Sequence, residues 1–219
     1  MVPAVTTRNT QHMATSGSIL GTRVLRTEDA KLLTTGGDYI GDLALENAVH
    51  LQYVRSTIAH GRLVSVDASD ARNAPGVVAV YTAAEMDLAP TKAAMRMLNQ
   101  SMFRPYLAID TVRFVGDVIA VVAAETKAQA VDAAELVVVE YESKPALLGL
   151  EESRTNANVI HEPAGSNVIA AMATEAGVDT FAGCEVTVEQ VIQNPRMAPA
   201  PLESRVCAAS WGADGRLTY

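Results

Sequence analysis

A run of seven apolar residues, VIAVVAA at Val118–Ala124, constrains the fold of this chain more than any other feature of its sequence. So short an apolar run is typical of a strand that is buried on both faces. The residues TKAQ at 126–129 have the spacing of a capping box, in which the threonine oxygen accepts a hydrogen bond from the first helical turn. A β-rich stretch over 136–141 follows. We therefore predict a strand–helix–strand unit over residues 112–142, with Thr126 as the helix N-cap.

Other stretches have the apolar or alternating composition of strands. They are residues 48–55, 62–67, 76–81, 112–115, 184–192 and 205–211, the last followed by a turn at 212–215 and the start of a partner strand at 216–219. Short helices are also indicated. One is predicted near residues 28–33, one runs from a weak cap at Asp67 and Asp70 through Arg72, and one starts at Ala83 after a second capping box at 82–85.

Length and charge narrow the classes of protein to which the chain can belong. Its 219 residues and 49% hydrophobic content fit one large or two small folded domains and argue against disorder except at the ends. A net charge of −8 argues against nucleic acid and anionic membranes as partners, because such a surface repels phosphate. No apolar run approaches the length of a membrane span. Residues 1–16 form a polar tail without the apolar core of a secretory signal, so the cytoplasm is the expected location.

The two cysteines, Cys184 and Cys207, provide no familiar ligand set. Without a C-x-x-C pair the sequence holds no zinc ribbon, thioredoxin-like motif or iron–sulfur ligands. Two buried or half-buried free thiols in a reducing compartment are favoured over a single disulfide, although the sequence leaves their pairing open.

Several charged or ionisable residues invite a functional interpretation, but each has a simpler structural one. His60, like His50 and His161, lacks a nucleophile or carboxylate at a useful spacing, so we expect packing and hydrogen bonding rather than catalysis. Arg55 and Arg62 are expected to form pairs that stabilise a hairpin or a domain contact rather than an anion site.

Two further motifs are also interpreted as structural. The glycines at 36–37 have no Lys-Ser/Thr after them and no strand before them, so they indicate a turn and not a phosphate loop. Met95, Met97 and Met102 have no cysteine or histidine beside them and are expected to anchor a loop or an interface. We predict no catalytic, cofactor-binding or metal-ligating residue in this chain.

Five longer strings, in register from about Gly17 to the last residue, resemble one family. They are RTEDAKLLT with GGDY at 26–39, VRS with AHGR at 54–62, PGVVAVYT at 75–82, VRFVGD through DAAELV at 112–137, and NPR with APAPLE at 194–203. They resemble the large, molybdopterin-binding subunits of molybdenum hydroxylases of the xanthine dehydrogenase, aldehyde oxidase and carbon monoxide dehydrogenase family.

The resemblance implies an α+β fold. Residues 18–145 would form the α/β hammerhead domain, residues 146–219 would begin an incomplete α+β molybdopterin-binding domain, and residues 1–17 would be a flexible tail. It also implies an activity: a molybdenum held by a pterin dithiolene hydroxylates a carbon centre with oxygen from water, or oxidises carbon monoxide. The implied partners are the remainder of the large subunit, an iron–sulfur small subunit and a flavin-binding medium subunit.

The sequence also departs from the family pattern. The glycine-rich loop near the metal, the late glutamate that acts as base and the loop with the copper-binding cysteine are absent. Pro199-Ala200 stands where carbon monoxide dehydrogenases have a glutamine, and Thr57 replaces a proline. Glu203 would lie near the pterin or substrate channel, but we favour a hydrogen-bonded structural residue because no base or metal ligand lies beside it.

These departures lead to a specific expectation. The chain alone would bind no cofactor and would not be catalytic, and the molybdopterin cofactor would belong to the complete large subunit. The chain stops inside the second strand of a hairpin, so the part beyond about residue 145 is expected to be poorly ordered or prone to associate on its own. The alternative function is a truncated, partner-binding module without turnover, and the substrate stays open in either case.

Overall fold

The computed structural model describes residues 24–37, 39–86, 88–173, 176–195, 197–201 and 203–219. The chain divides into two compact units, Leu45–Gln193 and a second one made of Met1–Ala44 with Asn194–Tyr219. The predicted N-terminal tail and part of the strings quoted above lie outside the described residues. In the described part of the chain, no helix has the length and hydrophobicity that a membrane crossing requires.

The larger unit contains two antiparallel sheets of three strands each. The strands are β1 (His50–Arg55), β2 (Gly61–Asp67), β3 (Val77–Thr82), β4 (Thr111–Val112), β5 (Val118–Ala124) and β6 (Val138–Ser143), in the orders β1-β5-β3 and β4-β2-β6. The α-helices of the chain are α1 (Asp29–Thr34), in the smaller unit, and α2 (Ser69–Asn73), α3 (Lys127–Glu135) and α4 (Leu150–Thr155), in the larger one. The smaller unit also holds a 3-10 turn, Ile40–Asp42, and the hairpin of β7 (Ser210–Trp211) and β8 (Leu217–Thr218).

Strand β5 lies at the centre of the first sheet, as its apolar sequence predicts. Six of its seven residues are buried, and β1 and β3 pair with its two edges. One apolar cluster joins Val122 to residues of α2, β3 and α3, including Ala71, Val80 and Ala133. A second cluster joins Ile119 to Val112 and to the second sheet. Small alanine side chains let the helices approach the sheet closely, which accounts for the alanine-rich composition of β5 and α3.

The strand–helix–strand prediction is confirmed in its elements and corrected in its arrangement. Thr126 is the N-cap of α3, and its Oγ1 accepts a hydrogen bond from Gln129 N at 3.2 Å. However, α3 connects two different sheets, because β5 belongs to the first and β6 to the second. The strand predicted over 112–115 is only β4, since Arg113 N donates to the Asp117 carboxylate and residues 113–117 turn.

The second capping box does not start a helix. Glu85 does accept hydrogen bonds from Thr82 N and Oγ1, at 2.9 and 3.0 Å. The other half of the box is missing, because Glu85 N donates to the Thr82 carbonyl and the Thr82 hydroxyl donates to the carboxylate. Arg72 also pairs with Glu85, so the glutamate ties α2 to a turn instead of opening a helix. In α2 itself the N-cap is Ala68, while Asp67 accepts from Ser69 N at 2.9 Å.

Two predicted strands in the C-terminal part are wrong or shorter than expected. Residues 184–192 form no strand within the described residues. The strand predicted over 205–211 is reduced to β7, since β8 faces only its last two residues. The hairpin turn itself is confirmed, with Gly215 at a φ of +76°, where a side chain is disfavoured. Both cysteines are free as expected, but both are exposed rather than buried.

We expect Thr126→Ala to lower the free energy of unfolding by about 1 kcal/mol, because the first turn of α3 loses its side-chain acceptor. Chemical denaturation of the purified chain measures this difference. Thr126→Ser keeps the hydroxyl and should retain most of the stability. Equal stabilities of wild type and Thr126→Ala would show that the cap contributes nothing.

Candidate functional site

The larger unit holds a cluster of polar side chains where the β1–β2 connection meets the loop before β5. Ser56, His60 and Asp117 are buried, with at most 8% of each residue exposed. Arg113 and His161 complete what we call the His60 cluster. Because buried polar groups need partners, the hydrogen bonds of these residues decide whether the cluster is structural or chemical.

The backbone partner of His60 determines which role one of its ring nitrogens takes. Its Nδ1 lies 2.9 Å from the carbonyl oxygen of Pro145, which can only accept, so Nδ1 carries the hydrogen. The His60 carbonyl in turn accepts from Lys144 N at 3.0 Å. These two bonds attach the chain after β6 to the start of β2. The other ring nitrogen, Nε2, is buried and has no hydrogen-bond partner among the described residues.

Ser56 and Asp117 make the cluster resemble a nucleophilic triad in composition but not in geometry. Ser56 Oγ donates to the carbonyl of Ile58 at 2.8 Å, and Asp117 Oδ2 accepts from Arg113 N at 3.1 Å. None of the described hydrogen bonds joins the hydroxyl, the imidazole and the carboxylate to one another. A nucleophile needs a base within hydrogen-bond reach, so this arrangement positions loops and does not activate Ser56. The hydrogen bond of His60 agrees with the packing and hydrogen-bonding role expected of it, and the absence of a catalytic role stays a prediction.

His161 lies on the other side of the cluster, in a segment that Arg113 holds. Arg113 Nε donates to the carbonyl of Ile160 at 3.0 Å. Burial lowers the pKa of His161, the Arg113 guanidinium lowers it further, and the Asp117 carboxylate partly opposes both. The neutral imidazole is therefore the form that the folded chain favours.

The remaining sequence candidates are also placed in structural roles. Arg62 pairs with Glu142 across β2 and β6, with Nε and Nη2 at 2.8 and 2.7 Å from the carboxylate. Arg55 donates to the Gly116 carbonyl and lies over the Tyr53 ring. In the smaller unit, Glu203 accepts from Ile40 N at 2.8 Å, which agrees with the structural role expected of it.

The glycine and methionine predictions are confirmed in part. Gly36 has a φ of +82°, as a turn requires. Met102 is buried and anchors its loop, whereas Met95 and Met97 are more than half exposed.

The described residues offer few of the side chains that directly hold a metal ion or a phosphate group. They contain no group of three His, Cys, Asp or Glu side chains that could hold a metal ion. A surface groove of about 220 Å³ lies beside β2 and β3, but no charged side chain lines it. Its lining is apolar apart from Ser65 and Thr82, so it provides no cation for a phosphate group. That the chain alone binds no cofactor stays a prediction.

The sequence does not predict which residues join His60 in the His60 cluster. In the sequence, Ser56, Arg113 and Asp117 stand only within longer strings and have no functional pattern of their own. One signal was available: an ionisable residue that directly precedes a strand buried on both faces has little solvent around it and needs a nearby donor. Which donor it finds depends on the loop geometry, and the sequence does not contain that.

The depressed pKa of His161 predicts a pH dependence of stability. The unfolded chain binds the proton more readily, so stability is complete above the ordinary pKa of about 6.5 and falls as the pH drops below it. We expect His161→Gln to lose less stability than wild type between about pH 7 and pH 5. The control is His50→Gln, at an exposed position of β1. Parallel curves for wild type and His161→Gln would contradict the prediction. The carboxylates with lowered pKa values, such as Glu162, titrate below this window.

The comparison with known proteins identifies the family. Residues 34–145 match the model described as the a/b hammerhead domain of aldehyde oxidase and xanthine dehydrogenase. The chain is 36% identical over 199 residues to the nicotine 6-hydroxylase large subunit of Paenarthrobacter nicotinovorans, a match that covers 89% of this chain and 24% of the relative. It is 31% identical over 205 residues to the carbon monoxide dehydrogenase large chain of Hydrogenophaga pseudoflava, covering 86% and 25%.

A solved structure gives the same result. Quinoline 2-oxidoreductase from Pseudomonas putida 86 superposes with a TM-score of 0.55 at 42% identity, over 61% of this chain and 17% of that one. The chain thus spans about a quarter of the length of the curated relatives named here. It belongs to the xanthine dehydrogenase and aldehyde oxidase family of molybdenum hydroxylase large subunits, and residues 34–145 are its α/β hammerhead domain.

Proposed function

We propose that this chain serves as the N-terminal portion of the large subunit of a molybdopterin-dependent oxidoreductase. The complete large subunit would hold the molybdenum cofactor and hydroxylate a carbon centre with oxygen from water. Electrons would then pass to an iron–sulfur subunit and a flavin-binding subunit. The observation that carries this proposal is a match over 89% of the chain to a hydroxylase large subunit about four times as long.

In this proposal the chain contributes structure rather than reacting groups. Its buried serine, histidine and aspartate bind backbone atoms. The chain also spans only 24% of the nicotine 6-hydroxylase large subunit, so most of a family large subunit lies outside the match. Both observations support a chain that is not catalytic alone and that depends on the rest of the large subunit for the cofactor.

The same observations favour a second candidate, a partner-binding module that assembles with other subunits but takes part in no turnover. The two candidates differ in one measurable property, since only the first predicts molybdenum in the assembled complex.

The test is purification of the tagged chain from its own host under native conditions, with molybdenum, iron and flavin measured on the isolated material. We expect the partner-free chain to carry no molybdenum and the complex to carry it in stoichiometric amount, together with iron and flavin. A host strain that expresses the tag alone is the control. Stoichiometric molybdenum in the partner-free chain would refute the dependence on a partner. A stable complex without molybdenum would leave the partner-binding module as the function.

A further inference from the structure

Residues 145–169, which we call the 145–169 segment, follow β6 and contact the His60 cluster without joining the core of the larger unit. None of these residues is buried, although several are half-buried. The segment is closed on itself by polar bonds, since Asn156 Oδ1 accepts from Asn167 N at 2.8 Å and Asn167 Oδ1 accepts from Ile160 N at 2.9 Å. A segment of this kind can move away from a domain without unfolding it, because little apolar burial is lost.

The two ends of the segment are tied to the rest of the larger unit through their backbone. At the start, His60 Nδ1 donates to the Pro145 carbonyl at 2.9 Å. At the end, the Ile169 carbonyl accepts from Asn99 N at 2.8 Å. These two bonds leave the residues between them to be positioned by contacts of their own.

A charged group holds the middle of the segment. Arg113 Nε donates to the carbonyl of Ile160, the residue directly before His161, at 3.0 Å. A guanidinium keeps its charge throughout the pH range in which proteins fold, so the same arginine holds the backbone and supplies a fixed positive charge near the imidazole. His161 is half-buried, and among the described residues its side chain has no hydrogen-bond partner.

The charges around His161 provide little stabilisation for a second cation. Burial lowers the pKa of His161, Arg113 lowers it further, and the Asp117 carboxylate, which already accepts from Arg113 N at 3.1 Å, only partly opposes them. The ionisable groups that face His161 or flank it come from each neighbouring element: Arg113 and Asp117 between β4 and β5, His60 directly before β2, and Glu162, which pairs with Lys144 after β6.

We propose that His161 controls a pH-sensitive latch, in which a proton on its imidazole releases the middle of the 145–169 segment from the His60 cluster. The imidazolium and the Arg113 guanidinium repel each other, and a charged ring favours water over a half-buried position. Outward movement of the segment relieves both effects and breaks the bond between Arg113 and Ile160. The bonds at Pro145 and Ile169 keep the ends in place, so the strands and helices of the hammerhead domain stay folded.

The direction of the pH dependence follows from the form that the closed segment favours. Closure favours the neutral imidazole, so the closed state has its full stability above the ordinary pKa of 6.5 and becomes less stable as the pH falls below that value. The loss levels off below the lowered pKa of the closed state, because His161 is then protonated in both states. The pKa of Glu162 is itself lowered from 4.5, so its carboxylate titrates below this window.

Hydrogen–deuterium exchange of the full chain at about pH 7.5 and about pH 5, each corrected for the intrinsic exchange rate, tests the latch. We expect the protection of amides in residues 160–168 to fall at least about threefold at the lower pH, while the amides of β5 stay better protected than these at both pH values. His161→Gln cannot take up the proton, so its 160–168 amides should be equally protected at both pH values.

Glu162→Gln is the matched control, because it removes the neighbouring charge and the ion pair with Lys144 but keeps the imidazole. Its 160–168 amides should retain the wild-type pH dependence, and loss of that dependence would assign the effect to Glu162 and overturn the role of His161. Equal protection of the segment and β5 at both pH values would show that the segment opens only when the whole unit unfolds, which would overturn the latch. Unchanged protection in wild type, or an equal fall in His161→Gln, would overturn it as well.

Discussion

The burial of β5 on both faces is the constraint on which the rest of the larger unit depends. Pairing with β1 and β3 satisfies its backbone along both edges. Its side chains take part in both apolar clusters, Val122 in the one under α2 and α3, and Ile119 in the one that reaches the second sheet. Fully burying a valine or isoleucine side chain contributes about 1.5–3 kcal/mol. One short strand therefore fixes two helices and both sheets relative to one another.

Polar contacts around β5 then determine how the loops leave the sheets. Asp117, directly before the strand, accepts from Arg113 N, and the Asp117 carbonyl accepts from Ser56 N at 2.8 Å. Arg113 and His60 extend this network to the backbone of Ile160 and Pro145. A buried side chain that loses its backbone partner costs about 1–3 kcal/mol, so each of these contacts specifies a loop position. The cluster has the composition of a catalytic site because buried loops and catalytic sites need the same polar groups.

Two capping boxes with the same spacing show how far the sequence predicts the fold. Thr126 caps α3, because the helix that follows has alanines that pack against the first sheet. Thr82 and Glu85 form part of the same motif, but Glu85 is drawn to Arg72 and the segment stays a turn. Local chemistry thus predicts that a helix can start, and tertiary contacts decide whether it does. The buried strand, the cap of α3 and the hairpin at 212–215 were predictable for this reason. The crossing of α3 between sheets and the partners of His60 were not.

The alternation of apolar and polar residues likewise predicts that a segment can form a strand. Whether the strand forms depends on a sheet edge with which it can pair. His50–Arg55 and residues 184–192 have comparable patterns, yet among the described residues only the first pairs with a strand edge, that of β5. The six strands β1 to β6 all lie inside the range that matches the hammerhead domain, 34–145, and each pairs with another of the six. That range is therefore self-sufficient in strand pairing. Beyond it, residues 184–192 keep the alternating sequence of a strand, and the side chains of Val186, Val188 and Ile192 are exposed.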